Sequence, residues 1–140
     1  MVCVDIANGY LDNLIKSCAE LRELMPNVVL MAGNVVTSEG VYELVHKGGV
    51  DVVKVGIGSG AACTTRIKTG IGYPQFSAVA ECAEAAKSEG CHIISDGGAI
   101  HPSDCAKAFG ANASFTMLGS MLAGHIESPG DLITDELTGK

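Results

Sequence analysis

The chain has no Cys-x-x-Cys pair, no Gly-x-Ser-x-Gly, no Gly-x-Gly-x-x-Gly, and no apolar run near the ~20 residues that a bilayer-spanning helix needs. Each gap excludes something. Without paired cysteines, and with Cys3, Cys18, Cys82, Cys91 and Cys105 scattered through apolar stretches, a disulfide framework is not expected, and these five read as reduced core or near-core thiols. Without the Ser elbow, Ser/His/Asp hydrolysis has no support. The cluster Gly56-Ile57-Gly58-Ser59-Gly60 has the wrong glycine spacing for a dinucleotide fingerprint; no helical pattern follows at once, and no acid sits about 20 residues on at the end of the next strand. Cations are scarce too: 9 Lys and Arg stand against 16 Asp and Glu, a net charge of −7. A nucleic-acid polymer or an anionic membrane needs a basic surface and is excluded as partner. A small anion is still admissible, because aimed backbone N–H groups suffice to hold one. The four histidines, His46, His92, His101 and His125, show no ligand spacing with cysteines or acids, so no metal site built from side chains is expected. Nothing at the start reads as a secretory leader, and the expected compartment is the cytoplasm.

What is present is a repeated strand-then-helix rhythm in one domain over residues 1–140, with 47% hydrophobic residues. Val2–Ile6, Val28–Met31, Val52–Val55, His92–Ser95 and Phe115–Leu118 read as strands, rich in β-branched residues. Leu14, Ile15, Cys18, Leu21 and Leu24 recur at helical spacing, with Asp12 expected to cap the helix and Pro26 to stop it. Val41, Leu44 and Val45 mark a second helix ended by Gly48-Gly49, and Ala78–Lys87 and Pro102–Phe109 mark two more. Repeated βα units imply parallel strands. An open doubly wound sheet and part of a (β/α)8 barrel share this period. The barrel is favoured because every conspicuous polar or glycine cluster falls just after a strand, where βα loops build barrel active sites.

Val53 through Arg66 is the most informative stretch: a β-branched strand ends in a glycine-rich turn that presents Cys63 beside Thr64, Thr65 and Arg66. A thiol is a nucleophile as its thiolate, which a polar or cationic setting favours. A flexible surface loop with an incidental cysteine is the other reading. Asp96-Gly97-Gly98 and Gly119-Ser120 close the last two strands, each expected to enter a helix whose N–H groups suit a phosphate, although ordinary turns with an aspartate cap have the same pattern. Asn8-Gly9 also fits a plain tight turn.

Cys63-Thr64-Thr65-Arg66-Ile67-Lys68-Thr69-Gly70-Ile71-Gly72-Tyr73-Pro74-Gln75 resembles the catalytic-loop signature of the IMP dehydrogenase/GMP reductase family. Asp5-Ile6-Ala7-Asn8-Gly9-Tyr10, Ala32-Gly33-Asn34-Val35, Ser95-Asp96-Gly97-Gly98 and Met117 through His125 match it in the same order, over nearly the whole chain. Lys68-Thr69-Gly70, Tyr73-Pro74-Gln75, Gly124-His125 and the Asp5–Tyr10 segment are similar to the reductase branch. The resemblance implies an α/β fold that is a partial TIM barrel, five βα units similar to strands four to eight, and a chain that is a piece of a larger enzyme.

The activity so implied is NADPH-dependent reductive deamination of GMP to IMP and ammonia. By resemblance Cys63 is the nucleophile and Thr65 part of the proton relay, its glutamate partner lying in a flap beyond Lys140. Asp96, Gly97, Gly98, Gly119 and Ser120 face ribose and phosphate; Asp5, Ile6, Ala7, Ile57 and Gly58 face the cofactor; backbone carbonyls of Gly58, Gly60 and Cys63 bind potassium. The family also implies a homotetramer. Two alternatives stay open: NAD-dependent oxidation of IMP by the same cysteine, and an inactive half-barrel that binds a nucleotide. Relatives commonly carry serine where this chain has Ala61, and reductases often carry glycine where it has Ser120, so Ser120 is expected to supply the phosphate contact that Ala61 lacks. His125 and Glu127 are given no catalytic role.

Overall fold

The computed structural model of the chain describes residues 1–131. Its elements run β1 (Val2–Asp5), α1 (Asp12–Leu24), β2 (Leu30–Val35), α2 (Ser38–His46), β3 (Val52–Val55), α3 (Thr65–Thr69), α4 (Gln75–Glu89), β4 (His92–Asp96), α5 (Pro102–Gly110) and β5 (Phe115–Met117). The five strands form one parallel sheet in the order β1-β2-β3-β4-β5. That order decides between the two candidate architectures. A doubly wound sheet reverses its strand order at a switch point. Strands added in sequence through crossovers of one hand keep their helices on one face and curl toward a barrel. The helices accordingly pack in series, α1 on α2, α2 on α4 and α4 on α5.

The core lies between sheet and helices. Ala32, Val35, Val53 and Val55 send side chains toward Val41 and Leu44 of α2 and Ala78, Val79 and Cys82 of α4, all buried. Alternate strand positions face the other way, so Cys3, Asp5, Phe115 and Met117 are exposed on the concave face that a closed barrel would enclose. Cys3 therefore departs from the expected near-core place, whereas Cys18 and Cys82 are buried and all six cysteines are free.

Local differences from the sequence reading have physical reasons. Leu11, not Asp12, occupies the N-cap of α1; Asp12 sits in the first turn, where its charge meets the positive end of the helix. Strand β2 begins later than expected and runs through Gly33 and Asn34, because Ala32 and Val35 on either side are both buried. Helix α4 starts at Gln75, directly after Pro74, whose extended backbone makes it the N-cap. The short α3 has no apolar period and was not expected.

Candidate active site

The carboxyl ends of the strands carry two adjoining clefts. One, of about 390 Å³, is lined by Asp5, Ile6, Ala7, Ile57, Gly58 and Thr65 among others; the other, of about 350 Å³, includes Ala61, Gly98, Gly119 and Ser120. Gly60, Cys63, Asp96 and Gly97 belong to both. The structure thus brings together the residues that the resemblance assigns to thiol chemistry, nucleotide, cofactor and potassium, with Cys63 at the seam, whereas Thr64 and Arg66 line neither cleft.

The loop from Gly56 to Pro74 is shaped by few contacts. At Gly56 φ is +148°, and a Cβ there would lie 2.0 Å from the Asp96 carbonyl oxygen, so only glycine lets β3 leave the sheet this close to β4. Ser59 Oγ donates to the Asp96 carbonyl at 3.0 Å, and Cys63 N–H donates to the Gly60 carbonyl at 3.0 Å, closing the turn that carries the thiol. Gln75 Nε2 fastens the loop's far end, donating to the Val55 carbonyl at 2.8 Å and Ser95 Oγ at 3.1 Å. Tyr73 donates its hydroxyl proton to Glu81, which also accepts from Ser38 N–H.

Cys63 is exposed, with Sγ 3.2 Å from Thr65 Oγ1. The Thr65 hydroxyl holds the thiol pKa below its ordinary value; the Thr65 backbone N–H adds to this, and the Arg66 charge and Gly58 backbone contribute less. Among the polar neighbours expected of this thiol, Thr65 leads and Arg66 is secondary. Arg66 instead serves the loop, donating from Nη2 to the Tyr73 carbonyl at 2.6 Å and packing against Gly58 and Gly72. Burial pushes Cys18 up, Cys91 up to about 11 and Cys82 up to about 12. Chemistry at a thiolate therefore favours Cys63 over these three.

Beneath the seam lies a cation that sequence reading passed over. Lys54, 1% exposed, points from β3 onto the concave face, its Nζ 2.9 Å from Asp5 Oδ2 and 2.9 Å from Asp96 Oδ2. Burial pushes its pKa down, but hydrogen bonds and charge from Asp5 and Asp96 together outweigh that and raise it. Asn34 Nδ2 donates to the same Asp96 oxygen at 2.8 Å and to the Gly56 carbonyl at 2.7 Å. Asn34 Oδ1 is buried with no partner among the described residues. Within Val52-Val53-Lys54-Val55 only the odd lysine signalled this. Asn34 stands in the Ala32-Gly33-Asn34-Val35 segment, where residue type and spacing alone point to no contact with Asp96.

The two glycine turns differ from expectation. Gly97 and Gly98 have φ of +99° and +82°, so the chain after β4 does not enter a helix until Pro102, where α5 is closed by a capping box between His101 and Asp104. Beyond Gly119-Ser120 the described residues form turns, with Leu122 N–H donating to the Gly119 carbonyl. Loop N–H groups, not helix ends, are what this region offers an anion.

Sequential parallel strands with α1, α2, α4 and α5 packed in series on one face, and an exposed thiol loop at their carboxyl ends, define a partial TIM-barrel fold. The chain belongs to the IMP dehydrogenase / GMP reductase domain family, whose model matches residues 1–140. It is 58% identical over 132 residues to GMP reductase 2 of Bos taurus, covering 94% of this chain and 38% of that protein, with the same figures for GMP reductase 2 of Homo sapiens. It is also 56% identical over 134 residues to GMP reductase of Klebsiella pneumoniae, covering 96% of this chain and 38% of that protein. The chain thus spans well under half the length of the curated relatives it matches.

Proposed function

We propose that the chain carries the nucleophile and the nucleotide-facing wall of a GMP reductase site, catalysing NADPH-dependent reductive deamination of GMP to IMP and ammonia. The observation that carries this is the thiol of Cys63, lowered in pKa by Thr65 at 3.2 Å and set at the seam of two clefts. Residues 1–140 form one part of a barrel domain in this reading.

GMP lies in the Ser120 cleft, its phosphate near the loop N–H groups of Gly97, Gly98, Gly119 and Ser120. Its ribose donates to Asp96 Oδ1, which has no partner among the described residues while Oδ2 holds Lys54 and Asn34. The Cys63 thiolate attacks C2 of the purine and forms a C–S bond. The exocyclic amine gains a proton through Thr65 and departs as ammonia, leaving a thioimidate on the enzyme. A hydride then adds to C2 and the C–S bond breaks, returning the thiolate and IMP. Dividing the substitution this way avoids direct displacement of an amidine-like amine.

The reduced nicotinamide, when bound, supplies that hydride. The residues fit such a ring: Asp5, Ile6, Ala7, Ile57 and Gly58 line the cleft shared with Cys63, and the orphaned Asn34 Oδ1 is free to accept from a ligand amide. Carbonyls of Gly58, Gly60 and Cys63 are the groups for potassium; the Gly60 oxygen accepts Cys63 N–H and keeps one lone pair. The assembled enzyme is a cytoplasmic homotetramer in this reading, and exposed Phe76, Ile100 and Phe109 leave apolar surface for contacts between copies.

The test is mass spectrometry of the native-length protein incubated with GMP and no reductant. A purine adduct on Cys63, lost in Cys63→Ala, is expected; an adduct formed from IMP and oxidised NAD alone would instead point to the dehydrogenase.

A further inference from the structure

We propose that Lys54 is the positioning residue of this site: its single buried ammonium fixes the spacing and orientation of the Asp5 and Asp96 carboxylates, which both line the first cleft, Asp96 lining the second as well. The inference deepens the functional reading above and rests on it for what the two carboxylates face.

Geometry carries the proposal. Asp5 stands opposite Gly33 on β2, and Gly33 stands opposite Lys54 on β3, so Lys54 and Asp5 are two strands apart at one level of the sheet. Neighbouring strands lie about 4.8 Å apart, and any side chain on the intervening strand would block the span. Gly33 removes the block: a Cβ there would lie 2.5 Å from the Lys54 carbonyl oxygen and 2.7 Å from Lys54 Cβ. On the other side Lys54 pairs in register with Ile94, and its Nζ reaches two residues up β4 to Asp96. The third ammonium proton faces Met117 Sδ of β5 at 3.8 Å, so all three donors are accounted for. One cation thus ties together carboxylates from the first and fourth strands.

The surroundings leave it no substitute. Asp5 and Asp96 are the charged groups on Lys54 among the described residues; β2 contributes the neutral Asn34, β5 a thioether, and Cys63 lines the same cleft. Both carboxylates accept from one nitrogen at 2.9 Å, which holds two like charges within about 6 Å of each other. Without the cation they repel, and one is forced to turn away or take a proton. Asp96 Oδ2 accepts from Lys54 and Asn34 and Asp5 Oδ2 accepts from Lys54, while each Oδ1 is left as an acceptor without a partner among the described residues.

The test compares wild type, Lys54→Met and Lys54→Arg in the native-length protein, with two readouts. The first needs no nucleotide: carbodiimide-driven amidation of Asp5 and Asp96, mapped by mass spectrometry. Severalfold faster amidation of both in Lys54→Met, returning toward wild type in Lys54→Arg, is expected; unchanged amidation overturns the proposal. The second is calorimetric affinity for GMP without cofactor, expected to fall about tenfold in Lys54→Met, the worth of one charge-assisted hydrogen bond. Equal GMP affinity in wild type and Lys54→Met also overturns it. If amidation responds but wild type binds no GMP, the positioning role stands and the functional reading fails. Should Lys54→Met not fold, Lys54→Met with Asp5→Asn removes the repulsion and leaves Asp96 as the reporter in both readouts.

Discussion

Replacing Gly33 by alanine is a sharp test of the packing under the site. The added methyl would meet the Lys54 carbonyl oxygen at 2.5 Å, Lys54 Cβ at 2.7 Å and the Lys54 carbonyl carbon at 3.1 Å, whereas real Cβ contacts essentially never fall below 3.0 Å. Strands β2 and β3 must therefore separate by several tenths of an ångström. Neither can do so freely, since Ala32 and Val35 on one and Val53 and Val55 on the other are 0% exposed against the helices. Overpacking of this kind costs about 1–3 kcal/mol. For a domain of this size that lowers the melting temperature by roughly 3–10 °C. The control is Gly110→Ala at the end of α5, where nothing lies within 4 Å of the new methyl. Thermal unfolding by circular dichroism, with both variants made in the same polypeptide, should show Gly33→Ala melting clearly below wild type and Gly110→Ala within about a degree of it. Equal melting of Gly33→Ala and wild type would refute the close approach of Lys54 to the β2 backbone.

The remaining predictions concern chemistry, binding, acid stability and association. Under limiting iodoacetamide Cys63 should be alkylated before the other five cysteines, at a lower pH than a free thiol, and Thr65→Val should move that profile to higher pH; mass-spectrometric mapping that finds Cys82 first, despite burial having pushed its thiol up to about 12, would contradict this. Ser120→Ala should weaken GMP binding by about 0.5–1.5 kcal/mol by calorimetry, and no change would show that Ser120 does not stand in for the hydroxyl missing at Ala61. Asp104 has a lowered pKa because the backbone N–H groups of His101 and Ile100 and the Lys107 ammonium bind its charged form. Its contribution is therefore fully present above the ordinary carboxylate range and lost as pH falls through the folded-state value; Asp104→Asn should flatten the acid limb of a stability-versus-pH curve. The 140-residue polypeptide by itself should associate, seen by light scattering, because β1 and β5 have unpaired edges among the described residues and Phe115 and Met117 are exposed beside one of them.

Much of the fold is legible in residue order because strand and helix periods differ and the apolar residues obey them. Val52–Val55 is read to the residue, since each position is apolar or buried and Gly56 ends it. Boundaries slip where tertiary packing outweighs local signals, as at β2, where Gly33 and Asn34 fall outside the strand expected to end at Met31 until the strands on both sides are in place. The Cys63 loop is legible because glycine, threonine and cysteine must be contiguous to present a thiol. Lys54 is not, since a lysine in a short strand ordinarily marks a solvent-facing position. Its burial depends on a missing side chain on one neighbour and carboxylates from strands 49 residues before and 42 after it. The turns after β4 and β5 mislead for a similar reason: glycine before a helical pattern suggests a helix start, while the positive φ values of Gly97 and Gly98 hold the chain open for several residues.

The most direct measurement is oxidation of NADPH by the native-length protein, followed by loss of the reduced nicotinamide's absorbance with product analysis, in wild type and Cys63→Ala. Oxidation that requires GMP, forms IMP and ammonia in equal amounts, and vanishes in Cys63→Ala is the predicted result. Oxidation that persists in Cys63→Ala, or a protein inert toward GMP and NADPH that instead oxidises IMP with NAD, would contradict it.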